Sequence, residues 1–268
     1  MPSHLRPEAT QAIEEATKLQ SDGDDASAIQ RIELALADIP AGSEFEQFKD
    51  RISLTMAIAE FSVSAGNSEG AVARLAEGFG VAKEAFQRIK ATGTEDDKRT
   101  AFRGLVQLKD LHTRLRLLGQ PTPELTMKEW LNTDPLTLEA LKGQVVLLEF
   151  WATWCKPCEQ MFPKLTNLDK EYGPQGLNVI ALTRHYLAYR GTPEAQAEEL
   201  NLMRKMVDTH GLTFRVGASE DEQTQDLYGA AGVPTMAVID RAGIVRHFYD
   251  GDEDRFQQVL KDCLSAQS

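Results

Sequence analysis

Through the first 118 or so residues the apolar positions recur at helical spacing, and beyond them the pattern changes to short, continuous apolar runs. EATQAIEEATKLQ, Glu8 to Gln20, is built from good helix formers and predicts a first helix. SDGDD interrupts it, and Asp24 or Asp25 is placed to cap a second helix, ASAIQRIELALADI, which ends before Pro40. A third helix is predicted from Glu44 to a stop at Gly66. Asn67 or Ser68 then caps a fourth, Glu69 to Ala91, and a fifth from about Glu95 to Leu118 carries Phe102, Leu105, Leu108 and Leu111 on one side. The segment has no strand-like alternation of any length.

SDGDDASAI (Ser21 to Ile29) and SAGNSEGAV (Ser64 to Val72) echo each other: a helix end, a Gly, a cap and a small-residue helix start. Both resemble the turns of tetratricopeptide-type helical hairpins. Their offset exceeds that family's period of about 34 residues and the fuller signature is absent, so an irregular helical bundle is the preferred reading of residues 1–120.

GQPTPEL, Gly119 to Leu125, is the best boundary, because a Gly and two prolines end the helix. After it come four strand-like runs: VVLLEF (Val145 to Phe150), LNVIALT (Leu177 to Thr183), TMAVID (Thr235 to Asp240) and IVRHFY (Ile244 to Tyr249), the last two joined by Arg241-Ala242-Gly243. Helical stretches lie between and after them, at Glu159–Glu171, Pro193–His210, Asp221–Tyr228 and Asp254–Leu264. Strand and helix alternating, then a hairpin and a last helix, describe an α/β sandwich over residues 121–268.

Composition narrows the functions. A net charge of −12 argues against nucleic acid as the main partner, because phosphate binding needs a basic surface. No apolar run is long enough to cross a bilayer. The start, MPSHLRPEATQ, lacks the apolar core of a signal peptide, which leaves a cytoplasmic protein or one whose export signal or anchor has been trimmed. Cys155, Cys158 and Cys263 are too few for a disulfide framework, so stability must come from packing.

Cys155-Lys156-Pro157-Cys158 follows a strand and opens a helix. A helix N-terminus offers unpaired N–H groups and partial positive charge, which lower a thiol's pKa below its free value of about 8.5. Lys156 adds positive charge, and Pro157 suits an early helical position, where its missing N–H costs nothing. The two-residue spacer lets the pair close a disulfide. Cys155 is expected to be exposed at the helix tip as nucleophile, with Cys158 shielded behind it as the resolving thiol. A structural zinc site needs four ligands. There is no second Cys-x-x-Cys, and His185, His210 and His247 are scattered, so no metal is expected. Cys263 reads as a lone buried or half-buried thiol. Arg184 to Glu199, with two Arg and two Tyr, reads as a solvated loop and helix start rather than an edge of a substrate groove.

EFWATWCKPC resembles the active site of the thioredoxin superfamily, and in particular the TlpA/ResA-like thiol–disulfide oxidoreductases. TLEALKGQVVLLEFWATWCKPCEQMFPKL and LYGAAGVPTMAVIDRAGIVRH match that family's two hallmark blocks, over about residues 121–268. The resemblance implies an α/β thioredoxin-like sandwich preceded by an all-α helical domain. It implies a cis peptide before Pro234, with the backbone of Val233 offered to an extended substrate peptide. Trp154, Lys156, Pro157, Val233 and Thr235 would line the substrate site, and Trp151 and Phe150 would support the core. Glu149 matches the buried acid of thioredoxins. Burial would raise its pKa and let it exchange a proton with Cys158. Pro163 would kink the helix. One departure is Met161, where the family's C-x-x-E-x-P pattern carries a glutamate. Glu149 is the substitute acid, and Glu159 is expected to point to solvent.

The first function expected is thus reduction of protein disulfides by Cys155 attack and Cys158 resolution, with an upstream thiol donor, no cofactor beyond the redox-active disulfide, and no nucleic acid. The family setting implies a periplasmic or otherwise extracytoplasmic location. The alternative is a redox-sensitive binding module whose N-terminal helices hold a client or partner. A thiol peroxidase fits poorly, because peroxiredoxins use a lone nucleophilic Cys in another pattern.

Overall fold

A computed structural model describes residues 5–40, 45–186 and 192–266. The chain divides into two compact units, Met1–Arg116 and Leu117–Ser268, each with its own core.

The first unit is helical: α1 (Pro7–Ser21), α2 (Asp25–Ala37), α3 (Phe45–Ser64), α4 (Ser68–Thr92) and α5 (Glu95–Leu117). Its helix starts follow from capping chemistry. The Asp24 carboxylate accepts from Ser27 N–H and the Asn67 side chain from Gly70 N–H. Thr94 and Asp97 satisfy each other's backbone N–H groups reciprocally before α5, as in a capping box. Two apolar clusters share α3. One gathers Ala12, Ala16, Ile32 and Ile58 from α1, α2 and α3. The other gathers Phe48, Ile52, Leu75, Ile89, Leu105 and Leu108 from α3, α4 and α5. Phe102 departs from the stripe expected of α5: it is 57% exposed, with its ring 6.2 Å from that of Phe86. The buried Asp50 carboxylate is paired with Arg6, which relieves the cost of a charge in this core.

The second unit is a six-stranded sheet in the order β1-β4-β3-β2-β5-β6. The strands are β1 (Glu129–Trp130), β2 (Val145–Phe150), β3 (Leu177–Arg184), β4 (Arg215–Ser219), β5 (Thr235–Ile239) and β6 (Val245–Phe248). β2, β3 and β4 run parallel, while β1, β5 and β6 pair antiparallel. The helices are α6 (Lys156–Tyr172), α7 (Pro193–His210), α8 (Gln223–Tyr228) and α9 (Glu253–Ser265). Apolar residues of α6, α7 and α9 pack with Val145, Leu147, Val179, Val216 and Val238 on one face. Tyr228 of α8 and Leu125, Leu138 and Leu141 pack with Val146, Leu148, Ile180 and Ala237 on the other. Every residue of β2 is buried, as a central strand covered on both faces must be. The arrangement is the thioredoxin-like sandwich.

Two strands were not expected from the sequence. β4 reads RVGAS, a charge and a Gly where an apolar run was sought. Arg215 is satisfied inside the sheet by donating to Asn178 Oδ1 at 2.7 Å. Gly217 leaves room for β1 and the segment before it: a Cβ there would lie 3.0 Å from Met127 Sδ and 3.2 Å from the Trp130 ring. β1 is only two residues long and gives no periodic signal.

Candidate active site

β2 ends at Phe150 and delivers the chain through residues 151–154 to α6. Cys155 is the N-cap of α6: its Sγ accepts from Cys158 N–H at 3.3 Å, and Pro157 occupies the first turn. Cys155 and Cys158 are joined in a disulfide, with Cα atoms 5.3 Å apart. Cys158 is fully buried, as expected. Cys155 is not exposed as expected. It retains 4% of its surface: bonded to Cys158 at the N-cap of α6, it belongs to the core cluster on that side of the sheet. The exposed group at the tip is instead Trp154, 65% accessible, whose ring meets that of Tyr186 edge-on at 5.5 Å. Trp151 is fully buried and packs edge-on against Phe162 at 5.5 Å. α6 continues as helix through Pro163.

The Val233–Pro234 peptide is cis. Thr235 opens β5 opposite Phe150 at the end of β2, so the register brings the Gly232-Val233-Pro234 loop to the same end of the sheet as the cysteine loop. Val233 is half-buried and Pro234 exposed. Thr235 is buried, and its hydroxyl donates to Gly232 O at 2.7 Å, so its side chain braces the loop rather than facing outward.

Glu149 has no exposed surface, and neither carboxylate oxygen has a hydrogen-bond partner among the described residues. It lies opposite Ala181 of β3 and Met236 of β5, and alternates with Val145 and Leu147 toward the face that also buries Cys158. Desolvation holds its pKa well above the usual carboxylate range.

Two arrangements escaped the sequence reading. Glu159 does not simply point to solvent: one oxygen pairs with Lys156 Nζ and the other lies 3.5 Å from His210 Nε2. The Lys156 hydrogen bond is the main cause that lowers the Glu159 pKa. The segment after β3 is also less solvated than expected. His185 is buried 3.7 Å from Glu199, Tyr186 N–H donates to Glu199 Oε1 at 3.0 Å, and the Tyr186 hydroxyl accepts from Gln225 Nε2 at 2.8 Å. Tyr189 and Arg190 of that segment lie outside the described residues. The only signal for these contacts was the composition of Arg184 to Glu199, which carries no information about fold-back. Cys263 is a buried free thiol whose pKa burial raises. Among the described residues there is no cluster of three or more metal-ligating side chains, and no helix is long and apolar enough to cross a membrane.

The family model described as the AhpC/TSA family matches residues 118–248. The thioredoxin-like protein YneN of Bacillus subtilis is 32% identical over 133 residues, which are 50% of this chain and 71% of that protein. The thiol–disulfide oxidoreductase ResA of Bacillus anthracis is 30% identical over 141 residues, 52% of this chain and 73% of that protein. Among solved structures, a thiol–disulfide isomerase from Corynebacterium glutamicum is 25% identical, with 55% of this chain and 97% of that one covered and a TM-score of 0.46. The chain belongs to the thioredoxin-like thiol–disulfide oxidoreductases of the ResA and YneN kind.

Proposed function

We propose that this oxidoreductase reduces disulfides in protein substrates, with Cys155 as nucleophile, Cys158 as resolving thiol and Glu149 as the internal proton exchanger. The observation that carries the reading is the Cys155–Cys158 disulfide at the N-terminus of α6 with the unpartnered Glu149 on the sheet face behind it. In the reduced protein, the Cys155 thiolate attacks one sulfur of the substrate disulfide. The substrate S–S bond breaks, one substrate thiolate leaves and takes up a proton, and a mixed disulfide remains. Cys158 gives its proton to Glu149, through water, and attacks Cys155 Sγ. The mixed disulfide breaks, the second substrate sulfur leaves as a thiolate and takes up the proton held by Glu149, and the Cys155–Cys158 disulfide forms. Two electrons and two protons have passed to the substrate, and an upstream thiol donor returns them.

The cis Val233–Pro234 loop supports a role in docking, because it rises beside the cysteine loop and its backbone is suited to pair with an extended peptide. In this proposal Trp154, Lys156 and Pro157 flank the docked peptide, the Val233 backbone binds it, and Thr235 acts by fixing the loop. The protein works as a thioredoxin-like domain, residues 121–268, carried by a helical domain, residues 1–120, that selects the client. Its setting is periplasmic or otherwise extracytoplasmic, a reading supported by the resemblance of the two motif blocks to the TlpA/ResA-like family.

Trapping tests the roles. With a disulfide-containing protein substrate, Cys158→Ser is expected to accumulate a mixed disulfide at Cys155, because the resolving step is removed. Cys155→Ser is expected to trap nothing and to lose turnover. A mixed disulfide formed at Cys158 instead would reverse the assignment.

A further inference from the structure

We infer that Glu159 offsets the charge of Lys156 beside the nucleophile and thereby holds the Cys155–Cys158 couple toward the reducing side. The inference rests on the reading of that pair as the redox couple. Sequence logic places Lys156 next to Cys155 as an uncompensated positive charge that favours the thiolate. The structure shows otherwise. Glu159 N–H donates to Cys155 O at 3.3 Å, so the backbone sets Glu159 one turn beyond the nucleophile. From there one of its carboxylate oxygens pairs with Lys156 Nζ.

The second oxygen is engaged by another element. His210, the last residue of α7, brings Nε2 to 3.5 Å of Glu159 Oε1, and its ring packs edge-on against the buried Phe162 of α6 at 5.2 Å. Glu159 is therefore steadied from two sides. Its side chain is 24% exposed against 77% for Lys156, so the more restrained member of the pair is the carboxylate. The result is a helix tip at which the first-turn charges cancel, and the Cys155 sulfur is left with the backbone N–H of Cys158 and the helix terminus as its stabilisers.

The consequence for poise follows from the redox balance. Reduction consumes two electrons and two protons: the protein disulfide and two thiols of glutathione give the protein dithiol and one glutathione disulfide. Groups that favour the Cys155 thiolate stabilise the reduced form and make the couple more oxidising. A carboxylate that cancels the neighbouring ammonium does the reverse. Glu159 thus works as a tuning residue and needs no contact with substrate.

The test is equilibration of the full chain with glutathione, in a Cys263→Ser background, with thiolate absorbance as a second readout. Glu159→Gln is expected to move the equilibrium constant toward the dithiol about two- to fivefold, the range for one surface charge. At 29.6 mV per tenfold this is about 10–20 mV upward, with a matching fall in the Cys155 thiol pKa. Lys156→Gln is expected to move both in the opposite direction, and the double variant to return close to the parent. A purely structural role would change stability without these opposed shifts. The inference is overturned if Glu159→Gln leaves the potential unchanged or lowers it, or if the double variant stays displaced, while the parent still forms a reversible disulfide. A parent with no reversible disulfide would overturn the underlying reading instead.

Discussion

Glu149 is a carboxyl with no exposure and no hydrogen-bond partner among the described residues, a placement that costs stability whenever it ionises. Its pKa is raised in the folded protein, so the folded state holds the proton above the pH at which the unfolded chain has released it. The penalty is absent below the ordinary carboxylate range, grows as pH rises through it, and levels off above the folded-state pKa. Glu149→Gln is therefore expected to stabilise the protein at neutral and alkaline pH by about 1–3 kcal/mol. The gain should vanish in acid, and thermal unfolding across pH would read it. The same variant should slow disulfide reduction by roughly 10²–10⁴-fold, because the resolving thiol loses its proton exchanger. Faster turnover, or a stability gain independent of pH, would contradict this account. The match of EFWATWCKPC to thioredoxin active sites made Glu149 legible in the sequence. The burial of Cys155 was not legible, because a place at a helix tip does not by itself fix how much of the residue its neighbours cover. Nor was the Glu159 pairing, since the contribution of His210 comes from a helix 51 residues further along the chain.

At the scale of elements, β2, β3 and the helix after the cysteines were legible because each carries an unbroken signal: continuous apolar runs for the strands, and an N-cap followed by an early proline for α6. β4 was not, because its stability comes from what surrounds it. Arg215 is satisfied by Asn178, and Gly217 serves by its absence of side chain beneath Trp130. Gly217→Ala should accordingly destabilise the second unit by about 1–3 kcal/mol through overpacking, with a lower urea midpoint and an unchanged slope. An unaffected midpoint would mean that Trp130 and Met127 yield without cost. In the first unit, Asn67→Ala should cost about 1 kcal/mol by removing the cap that Gly70 N–H requires.

The whole molecule joins a helical unit to a catalytic one, and each has its own apolar clusters among the described residues. The change from helical spacing to short apolar runs marked the division near Gly119 in the sequence. No role of the helical unit was marked, because a packed bundle of this kind carries no chemistry-bearing motif. Residues 117–268 alone are expected to fold cooperatively and to keep the disulfide potential of the full chain, while turnover of a native client falls. Loss of the reversible disulfide on excision would mean that the helical unit takes part in the site. The central claim, a two-electron couple at Cys155–Cys158 poised for reduction, is met most directly by the reduction potential of that pair, measured in thiol buffers of defined poise with Cys263→Ser as background. The account predicts a value near that of thioredoxin, about −270 mV. A value near about −120 mV, where strong oxidants lie, would contradict it and make the protein a source of disulfides rather than a sink for them.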